Sequence, residues 1–493
     1  MKALGVLGTA SGVGKSWITI ALCAWLRQQG VRVTPFKAQN MSNNAWATLD
    51  GREMARAQAV QAEACGLLPS VEMNPILIKP TAEHRSQLIL RGVAQGHLEA
   101  QDYYRDHERL WSIIADTLDA WRNRGDTDVL VLEGAGSPVE LNLMARDVVN
   151  LRPLRHLDGR FVLVGDIDRG GIYAQLAGTW NLLPPEDRAH SLGAIVNRFR
   201  GDLSLFPNPS EWLAPHAPGL PVLGTVPLRH DLQPEEEDGL TPEDFDRGTG
   251  DTIAWVRFPH TANLTDCQPW WSDTGVRTRW TADAAVLASA KVIILPGSKN
   301  TLADLRWLRA KGLDQVIRSA AARGTLIIGL CGGYQMLGEK LSDPAGLAGD
   351  SGEEPGLGLL PITTKFAAEK IVRQITAECD GRRWTAYEIH MGRTEPTAPT
   401  EPLHYVFDTA STSRRPSTPR PEGTRRENIW GTYLHGWFES PEVRRLIACD
   451  AAITSHRAAP TLWSEHRQSI YRGMAAHLAA SIDLTSIKRY LAL

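Results

Sequence analysis

Gly329-Leu330-Cys331-Gly332-Gly333-Tyr334-Gln335-Met336-Leu337-Gly338 sits at the junction on which the second half of this chain turns. The short apolar run 325–330 before it predicts a buried strand, and 334–340 predicts the start of a helix. A glycine two residues to either side of the cysteine, G-x-C-x-G, is the spacing of a nucleophile elbow. In such an elbow a sharp strand-to-helix turn lifts one side chain above a sheet and aims a helix N-terminus at it. The positive end of that helix lowers a thiol's pKa from about 8.5 and favours the thiolate. A buried packing cysteine between turn glycines is the competing reading. The flanking pattern favours the nucleophile.

The rest of the composition bounds what this nucleophile can serve. At 493 residues the chain exceeds one core, so two or three domains are expected. Hydrophobic residues at 43%, charged residues at 22% and a net charge of -3 fit an ordinary globular enzyme, with no nucleic-acid or membrane partner expected. Cys23, Cys65, Cys267, Cys331, Cys379 and Cys449 are scattered without CxxC pairs, which argues against a disulfide framework or zinc site and for a reducing cytoplasm. No run of about 18 apolar residues is present to cross a membrane.

Working outward to the start of the chain, the apolar run 3–7 leads into Gly8-Thr9-Ala10-Ser11-Gly12-Val13-Gly14-Lys15-Ser16, followed by a helical pattern over 17–29. The backbone N–H groups of such a loop and the helix N-terminus form a concave anion site. Gly8, Thr9, Gly12 and Gly14 would line it for ATP, Lys15 would reach the terminal phosphates, and the Ser16 hydroxyl would sit on Mg2+. The first glycine stands one residue early relative to G-x-x-x-x-G-K-[ST], so this is a variant phosphate loop. Further strands are expected at 31–37, 129–133, 161–166, 192–197 and 222–226, with helices at 53–64, 109–124 and 172–183. This alternation predicts a mainly parallel sheet flanked by helices, with ligands beyond the carboxyl ends of the strands. At those ends Glu133 is a candidate Mg2+ ligand and Asn197 could read the nucleotide base. Asp166 and Asp168 read equally as a helix cap or as metal or substrate ligands. The amide-rich stretch 35–44 and the lysine-bearing stretch 74–80 are less ordinary; surface loops also collect Asn.

Together, these stretches carry a resemblance. The phosphate loop with Glu133-Gly134-Ala135-Gly136 resembles the dethiobiotin synthetase class of ATP-dependent enzymes. Segments 36–44, 74–80, 133–142 and 166–171 resemble the cobyric acid synthase family more narrowly. The resemblance implies ATP-dependent amidation of the b, d, e and g carboxylates of a corrinoid substrate, adenosylcobyrinic acid a,c-diamide. It also implies that Lys37, Gln39, Asn40 and Asn43 lie near the corrin or the phosphates. Cobyrinic acid a,c-diamide synthase is the nearest alternative and a partitioning-type ATPase switch a more distant one; the latter leaves Cys331 unexplained.

The composition breaks at 227–250, where an acidic run and a polar stretch suggest a linker whose charges are solvated. Domains are therefore expected at 1–230 (amide synthetase) and 251–445, joined by 231–250, with a helical extension over 446–493. The second series of strands is expected at 253–258, 276–280, 292–295 and 325–330, with helices at 282–290, 301–311 and 313–322. The loop Pro296-Gly297-Ser298-Lys299-Asn300 lies beside the elbow, so backbone N–H groups of Gly297 and Gly332 could form an oxyanion hole. A plain Pro-Gly turn explains the same residues. His390, His404 and His435 are candidate bases, and position alone does not separate His390 from His435. The elbow with Tyr433-Leu434-His435-Gly436 resembles class I glutamine amidotransferases, which implies that His435 is the base and glutamine the ammonia donor. Gly436-Trp437 replaces the usual x-Glu, so a dyad is expected, with no third member assigned. Segment 412–426, rich in Arg, Pro, Ser and Thr, reads as an exposed loop. Apolar spacing at Ile470, Met474, Leu478 and Ile482 reads as packing.

Overall fold

The computed structural model describes residues 1–82, 85–99, 106–234, 245–409 and 418–493. Two parallel-sheet layers dominate it. The first comprises β1 (Lys2–Gly8), β2 (Val33–Phe36), β3 (Val129–Glu133), β4 (Arg160–Asp166), β5 (Ser191–Phe199) and β6 (Val222–Pro227), in spatial order β6-β5-β4-β1-β3-β2. Every pairing in it is parallel. These strands are near-continuous apolar runs because both faces are covered. Alternate residues divide accordingly: Leu7, Leu130 and Leu163 join the core on one face, and Val6, Val131 and Val164 join the core on the other.

The second sheet comprises β7 (Phe245–Gly248), β8 (Asp251–Val256), β9 (Val276–Thr281), β10 (Val292–Leu295), β11 (Leu326–Leu330), β12 (Thr424–Arg426) and β13 (Ile429–Thr432), in order β7-β9-β8-β10-β11-β13-β12. Its five central strands are parallel and its two edge strands antiparallel. The cysteine strand β11 is thus flanked by β10 on one side and β13 on the other. That topology brings the loop after Leu295, the elbow after Leu330 and the turn after Thr432 to one sheet edge.

Helix α1 (Lys15–Gln28) follows the phosphate loop and buries Ile18, Leu22 and Leu26 against the first sheet. The last long helix, α2 (Trp463–Ser481), returns to this first layer. Its Ile470, Met474 and Leu478 enter the same core, as does Ile482, one residue past the helix.

Several expected elements are redrawn. The helix expected over 334–340 is Gly332–Leu337; Gly338 turns extended, and Lys340–Asp343 forms a strand. The helix expected from 53 begins at Arg56, because Glu53–Ala55 pairs antiparallel with Ala45–Ala47. The expected loop 412–426 falls partly outside the described residues, and its remainder forms strand Arg420–Glu422, paired with His404–Asp408, and then β12. A long antiparallel hairpin, Ile362–Cys379 with Arg382–Pro396, lies beyond the second sheet and packs near Ala45–Ala47 of the first half. The acidic run 235–238 lies outside the described residues.

Candidate active site

The elbow is drawn by glycines. Cys331 has φ 49° and ψ −105°, a conformation that a non-glycine residue adopts only when its surroundings hold it there. A Cβ on Gly329 would lie 2.6 Å from Tyr334 N, and one on Gly333 would lie 2.0 Å from Leu295 O. Both flanking glycines therefore permit close backbone approach, which is the physical content of the G-x-C-x-G spacing. The Cys331 N–H donates to Thr432 O at 2.8 Å, tying the elbow to β13.

His435 follows β13 and meets the cysteine. Its Nδ1–H donates to Asp266 Oδ2 at 2.8 Å, while the Gly436 N–H donates to Asp266 Oδ1 at 2.9 Å. Burial pulls the imidazole pKa down, but the Asp266 charge and hydrogen bond and the contact with Cys331 outweigh it and push it up to about 10. Asp266 thus stands behind His435, at a place to which the sequence assigned no residue. It lies on a 3-10 segment, Leu264–Ser272, that no motif announces. Glu439 instead accepts from Arg467 Nη1 at 2.9 Å, in an ion network with Arg56 and Glu63.

The stretch 387–394 now has a structural role. Tyr387 exchanges two backbone hydrogen bonds with His435, at 3.1 and 2.9 Å, and its ring stacks on the imidazole with centroids 5.3 Å apart. Ile389 O accepts from the Cys331 thiol at 3.6 Å. His390 lines the same cavity, but its Nδ1–H is tied to Gly392 O at 2.8 Å, and burial above all pushes its pKa down to about 4. His404 is likewise pushed down to about 4 by burial and accepts from Trp437 Nε1 at 2.5 Å. Of the three histidines, only His435 is held between a hydrogen-bonded carboxylate, Asp266, and the Cys331 thiol.

Gly297 lines the cavity 3.4 Å, measured from an ideal Cβ, from His435 Cε1, and a Cβ on Gly332 would lie 2.7 Å from Ser298 N. The Gly297–Ser298 strand is held by Ser298 Oγ donating to Asp304 Oδ2 at 2.5 Å. The Gly297–Ser298 loop and Gly332 thus abut each other beside Cys331.

The phosphate loop forms a second site. Gly12 and Gly14 take φ values of 72° and 91°, and Gly14 caps α1. They line a cleft of about 530 Å³ with Lys15, Ser16, Lys37, Asn40 and Glu133. Lys15 Nζ donates to Ala10 O at 2.9 Å and Gly136 O at 3.0 Å. Thr9 Oγ1 donates to Gln175 Oε1 at 3.2 Å. Ser16 Oγ and Lys37 Nζ both donate to Glu133 Oε1, at 2.8 and 2.9 Å, and Gln61 Nε2 donates to the other carboxylate oxygen. Asn197 lines the cleft while its Nδ2 donates to Val13 O at 2.9 Å, bracing the loop from below. Among the described residues no group of three or more His, Cys, Asp or Glu is placed to hold a metal unaided. A hydroxyl and one carboxylate converging at the phosphate loop do suit Mg2+, which keeps waters and substrate phosphates among its ligands.

The remaining polar candidates separate. Gln39 lines an adjoining hollow with Glu140, Arg146 and Asp147, and Asn40 Nδ2 donates to Gln58 Oε1 at 3.0 Å. Asn43 goes elsewhere, into the wall of the Cys331 cavity. Asp166 accepts from Asp168 N at 2.8 Å and pairs with Arg198 at 3.2 Å, and Asp168 pairs with Arg200 at 2.8 Å. The cap of the following helix is Gly171, with no side-chain hydrogen bond, so the capping reading of Asp166 and Asp168 falls.

A buried cluster joins the two halves beside the cysteine, and sequence reading missed it. Glu53 Oε1 is ion-paired with Lys79 of the first half and its Oε2 accepts from Lys370 of the second, both at 2.5 Å. Lys299 Nζ donates to Gln87 Oε1 across the same boundary at 2.9 Å. Nearby, Asn263 Oδ1 accepts from Ala45 N at 3.1 Å and Asn44 Oδ1 from Leu264 N at 3.0 Å. The segment carrying Asp266 is therefore stapled to the amide-rich stretch of the first half.

Two family models match, a CobQ/CobB/MinD/ParA nucleotide binding domain over 4–242 and a CobB/CobQ-like glutamine amidotransferase domain over 252–443. The cobyric acid synthase of Roseiflexus castenholzii is 48% identical over 89% of this chain and 90% of that protein. Those of Variovorax paradoxus and Chloroflexus aggregans are 46% and 45% identical, over 92% and 89% of this chain and 94% and 89% of theirs.

Proposed function

The chain belongs to the cobyric acid synthase family, and from that premise we propose that its two sites act in series, one releasing ammonia and the other installing it on a corrinoid. The enzyme is a glutamine-dependent, ATP-driven amide-forming synthase of cobalamin biosynthesis. We assign its substrate as adenosylcobyrinic acid a,c-diamide and its targets as the b, d, e and g carboxylates. The observation that carries this reading is the pairing of a complete Cys331–His435–Asp266 constellation with a phosphate loop in one chain.

In the first site the Cys331 sulfur attacks the side-chain carbonyl of glutamine. The oxyanion is met by backbone donors of the Gly297 loop and the elbow, and His435, held protonated by Asp266, gives its proton to the departing nitrogen. Ammonia leaves and a thioester remains. Water, deprotonated by His435, then hydrolyses the thioester to glutamate and frees the thiol.

In the second site the loop residues Gly12 to Ser16 cradle the ATP phosphates, with Lys15 neutralising their charge. Ser16 and Glu133 would hold Mg2+, which offsets the charge on the transferring phosphoryl group. Lys37, already at Glu133, would turn to the phosphates or the acceptor carboxylate. Transfer of the γ-phosphoryl group to that carboxylate gives an acyl phosphate. Ammonia adds to its carbonyl and phosphate departs with the C–O bond electrons, leaving the amide. Unactivated carboxylate and ammonia would only form an ion pair. Since ammonia protonates at neutral pH, the wall that the synthetase half contributes to the Cys331 cavity favours direct delivery between the sites.

The reading is tested by incubating the enzyme with ATP, Mg2+, glutamine and the a,c-diamide, then counting amides by mass. Four added amides are expected. No addition to the a,c-diamide, with two amides added to the fully acidic precursor, would assign the a,c-diamide synthase activity instead.

A further inference from the structure

The Cys331 cavity is built by both halves of the chain. Asn43 and Lys79 enter it from the synthetase half, and Lys299, Lys370 and the catalytic pair come from the glutaminase half. Two features of this wall lack a purpose within the cysteine chemistry. Asn43 Oδ1 is buried without a hydrogen-bond partner, a costly condition for a carbonyl oxygen. On the other side Lys79 and Lys370 share the Glu53 carboxylate, and Lys299 lies within electrostatic range of all three. Lys299 spends one N–H on Gln87 Oε1, leaving two donors of its ammonium for other acceptors.

We infer that the synthetase half completes the glutamine site, with Asn43 Oδ1 accepting from the α-ammonium of glutamine and the lysine cluster, led by Lys299, receiving its α-carboxylate. The inference rests on the glutaminase reading of Cys331. An orphan acceptor and an excess of buried cationic donors in one cavity are complementary to a zwitterion whose amide end lies at Cys331. Burial, first, and then the neighbouring Lys370 and Lys79 push the Lys299 pKa well below its usual value, and a bound carboxylate would restore the charge. The arrangement also makes glutamine recognition depend on the docked halves. Asn43 is one residue from Asn44, whose side chain holds the segment leading to Asp266.

The test uses the full-length enzyme and three amides: L-glutamine, glutaramate, which lacks the α-ammonium, and 4-aminobutanamide, which lacks the α-carboxylate. Glutamate or ammonia release gives kcat/KM for each. Asn43→Ala is expected to lower the value for L-glutamine about ten- to a hundredfold, mainly through KM, and to leave that for glutaramate unchanged. Asn43→Asp keeps an acceptor oxygen and retains the preference for L-glutamine, which separates recognition from a folding defect. Lys299→Met lowers kcat/KM for L-glutamine by a similar factor and spares 4-aminobutanamide, whereas Lys299→Arg keeps most of the preference. Equal losses on all three amides, or an unchanged preference in Asn43→Ala, would overturn the inference while leaving the glutaminase reading intact. Failure of the unmutated enzyme to hydrolyse L-glutamine would overturn both.

Discussion

Asp266 and His435 stand 169 residues apart in sequence and 2.8 Å apart in the structure, Oδ2 to Nδ1. The carboxylate orients the ring and favours its protonated form, and its second oxygen receives the Gly436 N–H, so it cannot swing away without losing two partners. In the proposed mechanism that relationship extends the expected dyad of Cys331 and His435 to a triad.

Replacing Asp266 with Asn should preserve the shape but weaken the stabilisation of imidazolium. Glutaminase kcat is expected to fall by about 10²–10⁴, with ammonium-supported amidation retained. Steady-state glutamate release and mass counting of amides measure the two separately. An Asn variant as active as the native enzyme on glutamine would remove Asp266 from the mechanism.

The same contact predicts a pH dependence of stability. The folded-state pKa of His435, about 10, lies above the unfolded value of about 6.5. Its contribution is therefore fully present below pH 6.5 and is lost as pH rises through about 10. Urea unfolding across this window should show stability declining with pH, and Asp266→Asn should flatten that slope.

Gly14 has φ 91°, and a Cβ there would lie 2.1 Å from Asn197 Nδ2, the amide that braces Val13. Gly14→Ala should displace that brace and deform the phosphate loop. ATP binding by calorimetry is expected to weaken at least about tenfold, with glutamine hydrolysis persisting. Unchanged ATP affinity would place the nucleotide elsewhere.

Glu53 binds two lysines from different halves in a fully buried setting, and these two charges hold its carboxyl well below the usual range despite burial. Glu53→Gln leaves those ammonium groups uncompensated and should cost about 3–5 kcal/mol. The native pair contributes stability above the unfolded pKa of about 4.3, and that stability is lost as pH falls through the lower folded value. Denaturant midpoints at pH 7 and at a pH below about 4 check both statements.

What the chain reveals by inspection follows from locality. The phosphate loop and the elbow are each a contiguous strand, glycine turn and helix, so Lys15, Ser16 and Cys331 announce themselves, as do both parallel sheets through their buried apolar runs. Tyr387–His435 pairing, the Asp266 contact and the Glu53–Lys79–Lys370 cluster are contacts between distant segments, and no periodicity encodes them. Asn43 shows the limit most plainly. Its neighbours Lys37 and Asn40 reach the phosphate cleft, but the short strand Gln39–Met41 carries the chain across the boundary, and Asn43 lines the other site. Strand Arg420–Glu422 was hidden for a different reason: its Arg-Pro-Glu composition is that of a loop, while its Glu422 is buried against Thr432 and Tyr433.

The central claim is that Cys331 supplies nitrogen to a separate, ATP-driven amidation. The most direct measurement gives Cys331→Ala the a,c-diamide, ATP, Mg2+ and glutamine labelled with ¹⁵N at the side-chain amide, alongside a second reaction with ¹⁵N-ammonium. Mass spectrometry of the corrinoid should show no label from glutamine and four labelled amides from ammonium. Label arriving from glutamine without Cys331, or no amidation from either source by a folded variant that binds ATP, would contradict the account.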